Sequence, residues 1–165
     1  MVGDLYVCAS RLLTDVVAGL AAGPTPVPTR RGVTAGQVPW GVCDQLFVSI
    51  GRGALSNNIP IEATVEAEAN CGAAFMLANI AVVLIRCWPT VDAAGNPPGI
   101  AALDAAAQIV AADEQILCNI VPCRLSDQVD DGLIVDYAFV SVEQVGPEGG
   151  RIGLEAGSKV GFRRG

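Results

Sequence analysis

Between Ala73 and Ile85 the chain runs 13 residues with one polar interruption, Asn79. A segment apolar on both of its alternating faces cannot lie at a half-wetted surface, so it has to be covered on both sides. It is also well short of the ~20 residues that cross a bilayer, and no segment reads as a membrane span. Residues 74–88 are therefore predicted as a long central strand. Arg86 is the one charge near its end, and Pro89 closes it.

The other elements are arranged around that strand. Leu5, Ala9, Leu12, Val16 and Leu20 recur at helical spacing, with Leu13 and Val17 widening the stripe, so residues 4–21 are predicted as a helix. Asp4 can cap it, and Gly23 with Pro24 ends it. Residues 23–40 hold four prolines and three glycines and read as a long extended loop. Residues 44–50 read as a strand, followed by turn chemistry in Gly51–Asn58. Residues 61–69 alternate apolar with polar, which puts Glu62, Glu66 and Glu68 on a solvated outer face. A second helix is expected over 98–120, with Pro98 in its first turn and Pro122 ending it. A polar loop follows over 124–132, then strands over 133–145 and 151–162 joined by a hairpin turn at 146–150. The last strand is weakened by Gly153, Gly157 and Gly161. The order α-β-β-β-α-β-β predicts an α+β fold, a mostly antiparallel sheet of about five strands backed by two helices. At 165 residues, 52% hydrophobic and 16% charged, the chain is read as one domain, 1–165, able to bury a core without staples.

Six cysteines raise the question of disulfides. No basic-then-apolar leader opens the sequence, and most of the cysteines lie in apolar stretches, where a free thiol packs as a small hydrophobe. Reduced, core-type cysteines are expected. The net charge of −7 opposes any role in gripping a nucleic-acid backbone.

Catalytic chemistry finds little to work with. The chain has no histidine, which removes Ser-His-Asp and Cys-His nucleophile systems and His-based zinc sites. No phosphate-binding or dinucleotide loop is present, and no cofactor is expected. Cys118 and Cys123 could offer two metal ligands but have no partner pair, and helix-end packing is the simpler reading. Asp127, Asp130 and Asp131 lack the alternate spacing of a calcium loop. No catalytic or metal residue is assigned, and the chain is read as not an enzyme. The remote alternative is a small enzyme dependent on Cys71 or on the Glu62/Glu66 carboxylates, neither of which has a visible base.

One stretch carries a resemblance. Ile85-Arg86-Cys87-Trp88-Pro89, then Val91-Asp92-Ala93-Ala94-Gly95-Asn96-Pro97-Pro98, then Leu103-Asp104-Ala105-Ala106-Ala107 resembles neck proteins of actinobacteriophages with long non-contractile tails. A strand ending in Arg-Cys, an aromatic or apolar residue and Pro, an Asp-Gly-x-Pro-Pro type of turn and a Leu-Asp-Ala-Ala-Ala helix recur in that family. Ala94 stands where an acidic or polar residue is common. The element order also resembles the tail-terminator fold. That resemblance implies a structural virion protein assembled in the host cytoplasm, a homo-oligomer and most simply a hexameric ring. Such a ring ends polymerisation of the tail tube protein and joins the tail to the head-side connector or stopper, and DNA passes through it without specific binding. It implies no membrane partner. The alternative within the same reading is another head-to-tail connector ring, an adaptor or a stopper.

On that reading the interface residues are Arg30, Arg31 and Trp40 in the long loop, since Arg and Trp favour interface cores. Arg151 and Lys159 in the last hairpin join them, with Phe162, Arg163 and Arg164 at the C-terminal end. Glu62, Glu66 and Glu68 would line an acidic lumen, where a repulsive field lets DNA slide.

Overall fold

The computed structural model describes residues 2–56 and 74–163. Its elements run α1 (Val2–Ala22), β1 (Arg30–Ala35), β2 (Gln45–Ser56), β3 (Phe75–Cys87), α2 (Ile100–Asp130), β4 (Asp136–Glu148) and β5 (Arg151–Arg163). The fold is α+β, with one five-stranded sheet in the order β1-β2-β3-β5-β4. The apolar run is β3, at the centre of the sheet as its composition demands.

The sheet is mixed rather than mostly antiparallel. β2–β3, β3–β5 and β5–β4 pair antiparallel, but β1 pairs parallel to β2, from Arg30 beside Gln45 to Ala35 beside Ile50. β1 lies inside the stretch expected to be a loop. Its sequence, Arg-Arg-Gly-Val-Thr-Ala, has almost no apolar alternation to announce a strand, and backbone pairing with β2 makes it one. The element order still agrees with expectation. The strand anticipated over 61–69 lies outside the described residues. β2 also runs on to Ser56, through the residues expected to turn, with an irregularity between Ile50 and Gly53.

Both helices cover one face of the sheet. Cys8, Ala9, Leu12, Val16 and Leu20 of α1 are fully buried, and they pack with Leu46, Val48, Ala78, Ile80, Val82 and Leu84 of the sheet. By length and composition alone α1 is apolar enough to cross a membrane, with mean hydropathy 1.5 over Asp4–Ala22. In this fold its apolar stripe is the core. Gly23 ends it by donating its N–H to the carbonyls of Gly19 and Leu20.

α2 does not stop at Pro122. It continues to Asp130, and its buried residues, Val110, Asp113, Leu117, Val121, Leu125 and Gln128, keep one helical stripe across the proline. Pro122 leaves the carbonyl four residues back without its helical partner, a cost of ~3 kcal/mol in an isolated helix. Burial of that stripe outweighs it, since each buried Leu or Val contributes about 1.5–3 kcal/mol. The buried face of α2 leaves both its first residue and a mid-helix acid outside. Ile100 is 87% exposed and Glu114 is exposed, while Asp113 is fully buried. The helices lie antiparallel and close, with the Cα of Gly19 so near Ile120 that a Cβ there would stand 1.7 Å from Cδ1.

β5, for all its glycines, is an interior strand. It sits between β3 and β4 and is paired along its whole length. Gly153 has a steric reason to be glycine, because a Cβ would lie 2.4 Å from the Trp40 indole.

Candidate assembly interface

A parallel pair obliges the chain to travel back the length of a strand before the second strand begins. Here the return is residues 36–44, and it crosses the sheet face opposite the helices. Val38 and Trp40 on it pack with Phe47, Ala81, Val83 and Ile85, a second and smaller apolar cluster. Three ties hold it down. The carbonyl of Trp40 accepts from Nη1 of Arg151, and the carbonyl of Pro39 accepts from Nε2 of Gln45. At its end Cys43 is disulfide-bonded to Cys87. The expectation of reduced cysteines is thus corrected at this pair. The return brings Cys43 to the end of β3, a proximity 44 residues apart in sequence. Cys8 is the one core-type thiol among the described cysteines, and burial pushes its pKa up to about 12 despite nearby Arg11. Cys118 and Cys123 are free and exposed.

The same end of the sheet carries a buried ion pair that sequence reading did not assemble. Arg86, 5% exposed, meets the fully buried Asp113 through two bonds, Nε to Oδ2 at 2.7 Å and Nη2 to Oδ1 at 3.0 Å. Thr25 donates to the same carboxylate at 2.7 Å, and Arg86 Nη1 donates to the Pro26 carbonyl at 2.7 Å. Asp44, half exposed, lies 3.6 Å from Nη1. This network ties β3, α2 and the segment after α1 together. Arg86 could be seen as an anomaly in an apolar strand, but its partner lay hidden among the alanines of α2. It is a structural clamp.

Beyond residues 36–44 the non-helical face, as formed by the described residues, carries many small side chains: Ser49, Gly51, Asn79, Ala81, Ser141 and Gly157 line a depression of about 360 Å³. At its rim Glu143 and Glu155 are cross-strand partners on neighbouring β4 and β5, and both are exposed. Like charges directly opposite are unfavourable. Ser141 donates to Glu143 at 3.2 Å.

The proposed interface residues fall in different places. Arg30 and Arg31 are exposed at the start of β1, an edge strand. Trp40 and Arg151 are brought together, but in an internal contact, both half-buried. Lys159 is half-buried on the non-helical face, between Asn79 and Ala138 in register. Phe162 is 2% exposed and belongs to the main core, so its ring is not on a surface. The period-two alternation of β5 turns it toward the helices. Arg163 is exposed beside Phe75 at the strand's end. Arg164, Glu62, Glu66, Glu68 and Cys71 lie outside the described residues.

No family model matches this chain, and no curated protein matches it with significance. Among the described residues no group of three His, Cys, Asp or Glu side chains could hold a metal ion. A cleft of about 520 Å³ between α1 and α2 is crossed by exposed pairs, Arg11–Asp131 at 2.9 Å and Arg124–Asp127 at 2.8 Å. Such exposed pairs are worth about 0–1 kcal/mol each. The turn before α2 is held by Asp92, whose carboxylate accepts from the Asn96 side chain and from the N–H groups of Ala94 and Asn96. The Asn96 bonds above all hold its pKa below the usual carboxylate value.

Proposed function

We propose that this protein is a non-enzymatic structural component of the neck of a long-tailed, non-contractile phage, where its copies form a ring that ends the tail tube and joins it to the head-side connector. The observation that carries the reading is the stretch that resembles that family. In three dimensions it is one continuous unit: the end of β3, the Asp92–Asn96 turn and the start of α2. Its Arg86 and Cys87 are the residues that clamp α2 and residues 36–44 to the sheet. The same reading gives the chain a place in the virion, assembly in the host cytoplasm, and as partners its own copies, the tube protein and the connector, with DNA passing without specific contact.

Several surfaces suit a subunit made to be covered. The first turns of α2 are alanine-rich and exposed, with Ile100 uncovered, and among the described residues no further strand pairs with either sheet edge. A helix-backed sheet also favours a terminator over an adaptor, expected to be helical, or a stopper, expected to be a small β-barrel, though only by analogy of fold. Light scattering and electron microscopy of the purified protein test the proposal: rings, or monomers that assemble into rings on tail tubes, are expected. A protein that stays monomeric with and without tubes, and is absent from purified virions, overturns it.

A further inference from the structure

The two edge strands of the sheet differ in charge. β1, one edge, opens with Arg30 and Arg31, both exposed and in no ion pair among the described residues. β4, the other edge, exposes Glu143, Gln144 and Glu148, and between them the apolar Val145, 39% exposed. An edge strand presents a row of unpaired N–H and C=O groups, and proteins that must stay single blunt such edges with inward charges, prolines or bulges. β1 has no proline and no bulge and pairs with β2 without irregularity; of its two charges Arg30 lies on the non-helical face and Arg31 on the helical face. β4 is irregular around Val140 and before Glu148, which leaves Ser141–Val145 as a regular run between the two breaks. A six-residue edge therefore faces a run of nearly the same length.

The direction of the strands also matches. β1 and β2 run one way, β3 the other, β5 with β1, and β4 against it. If one copy is set beside the next by a rotation about an axis along the strands, β1 of the first meets β4 of the second antiparallel. That is the slightly more stable pairing, and both copies keep their helices on the same side. The rows of the sheet then set the height. Arg30, Gln45, Ile85, Gly153 and Val145 form one row, and Gly32, Phe47, Val83, Glu155 and Glu143 form the row two residues along. Without vertical shift, Arg30 comes opposite Val145, one side-chain step from Glu143 and close to Glu148. Arg30 and Glu143 are on the same, non-helical face. The repulsion between Glu143 and Glu155 would be relieved by a cation arriving there.

We infer that copies of this chain dock head to tail through their sheet edges, β1 of one against Ser141–Val145 of the next, with Arg30 entering the acidic surroundings of Glu143 and Glu148 on the same face and Arg31, beside Leu46 on the helical face, adding to the positive charge of the edge. The contact joins two different patches, so it repeats from copy to copy and closes wherever the rotation allows. Closure into a ring rests on the function proposed above, whereas the edge contact does not.

Reciprocal charge reversal tests it. One variant carries Arg30→Glu and Arg31→Glu, and a second carries Glu143→Lys and Glu148→Lys. All four residues are exposed, and circular dichroism checks that each variant keeps the native fold. Self-association is followed by sedimentation velocity over a range of protein and salt concentrations. Each variant alone should need at least tenfold more protein to associate than the unaltered chain. An equimolar mixture should recover association, because every contact in an alternating assembly then pairs Arg with Glu or Glu with Lys. A chain bearing all four changes should recover it too. Wild-type rings with no recovery in the mixture or the fourfold variant would overturn the edge contact and leave the ring intact. Charge-dependent open chains without rings would support the edge contact and overturn the ring. A wild-type chain monomeric at every concentration overturns the edge contact, and one that also stays monomeric with tail tubes and is absent from virions overturns the ring as well.

Discussion

Replacing Asp113 by alanine probes the buried clamp most directly. The change removes three bonds at once, two from Arg86 and one from Thr25. It leaves a guanidinium 5% exposed with the Pro26 carbonyl and a half-exposed carboxylate, Asp44, 3.6 Å away. Removing one partner of a buried pair costs about 3–5 kcal/mol, because the charge that remains has lost water and gained nothing. Asp44 and its solvent access place the expected loss near the lower end, about 3 kcal/mol. For a chain of this length that lowers Tm by roughly 6–12 °C. Urea unfolding followed by circular dichroism should show a lower midpoint with an unchanged slope. The second arm removes the charge as well. Arg86→Met with Asp113→Leu should be less destabilising than Asp113→Ala alone, since no unpaired charge then remains inside. A loss under about 1 kcal/mol for Asp113→Ala, or a double variant worse than the single, would refute the reasoning.

Three further outcomes are expected. Reducing the Cys43–Cys87 bond, or replacing both residues by alanine, releases a closed loop of 44 residues. The chain-entropy relation then gives a loss of about 4 kcal/mol, read by denaturant titration with and without a dithiol reductant. Trp40 fluorescence should shift to the red if residues 36–44 also lift. In the native protein Cys118 and Cys123 should react with a thiol reagent in seconds to minutes, and Cys8 only on unfolding. The Cys8 thiol is raised from 9.0 to about 12 in the fold, so the folded state holds its proton where the unfolded chain gives it up. Its contribution to stability is complete below pH ~9 and is lost progressively as the pH rises toward 12. Mass spectrometry of labelled peptides at pH 8, and unfolding midpoints from pH 8 to 11 with a Cys8→Ala control, would show it.

Much of the fold was legible because its signals are local. The stripe of α1 from Ala9 to Leu20, the apolar run of β3 and the hairpin of β4 with β5 are periodicities of neighbouring residues, and burial follows them. Where expectation and structure part, the deciding partner is distant in sequence. β1 has no pattern of its own and becomes a strand only beside β2. α2 passes Pro122 because its stripe from Val110 to Gln128 has a sheet to lie on. Asp113 carries no signal of its own among the residues of α2, and only the fold brings Arg86, 27 residues earlier, to face it. The pairing of Cys43 with Cys87 follows from the path between two parallel strands, which no spacing of cysteines reveals. Phe162 read as a terminal aromatic free to contact a neighbour, and the pairing of β5 between β3 and β4 turned it into the core.

The sequence by itself determined the class of this protein: a helix-backed sheet around the Ala73–Ile85 run, acidic overall, and without the histidine or cofactor loops that most site chemistries need. The tertiary structure decided which surfaces are left over. It placed the small-residue face beyond Trp40 and put a basic strand, β1, at one edge of the sheet and an acidic one, β4, at the other. Burial is written into a chain as periodicity, because each residue's environment repeats with its element. The composition of an edge is not, because an edge is defined by the strand that is missing beside it.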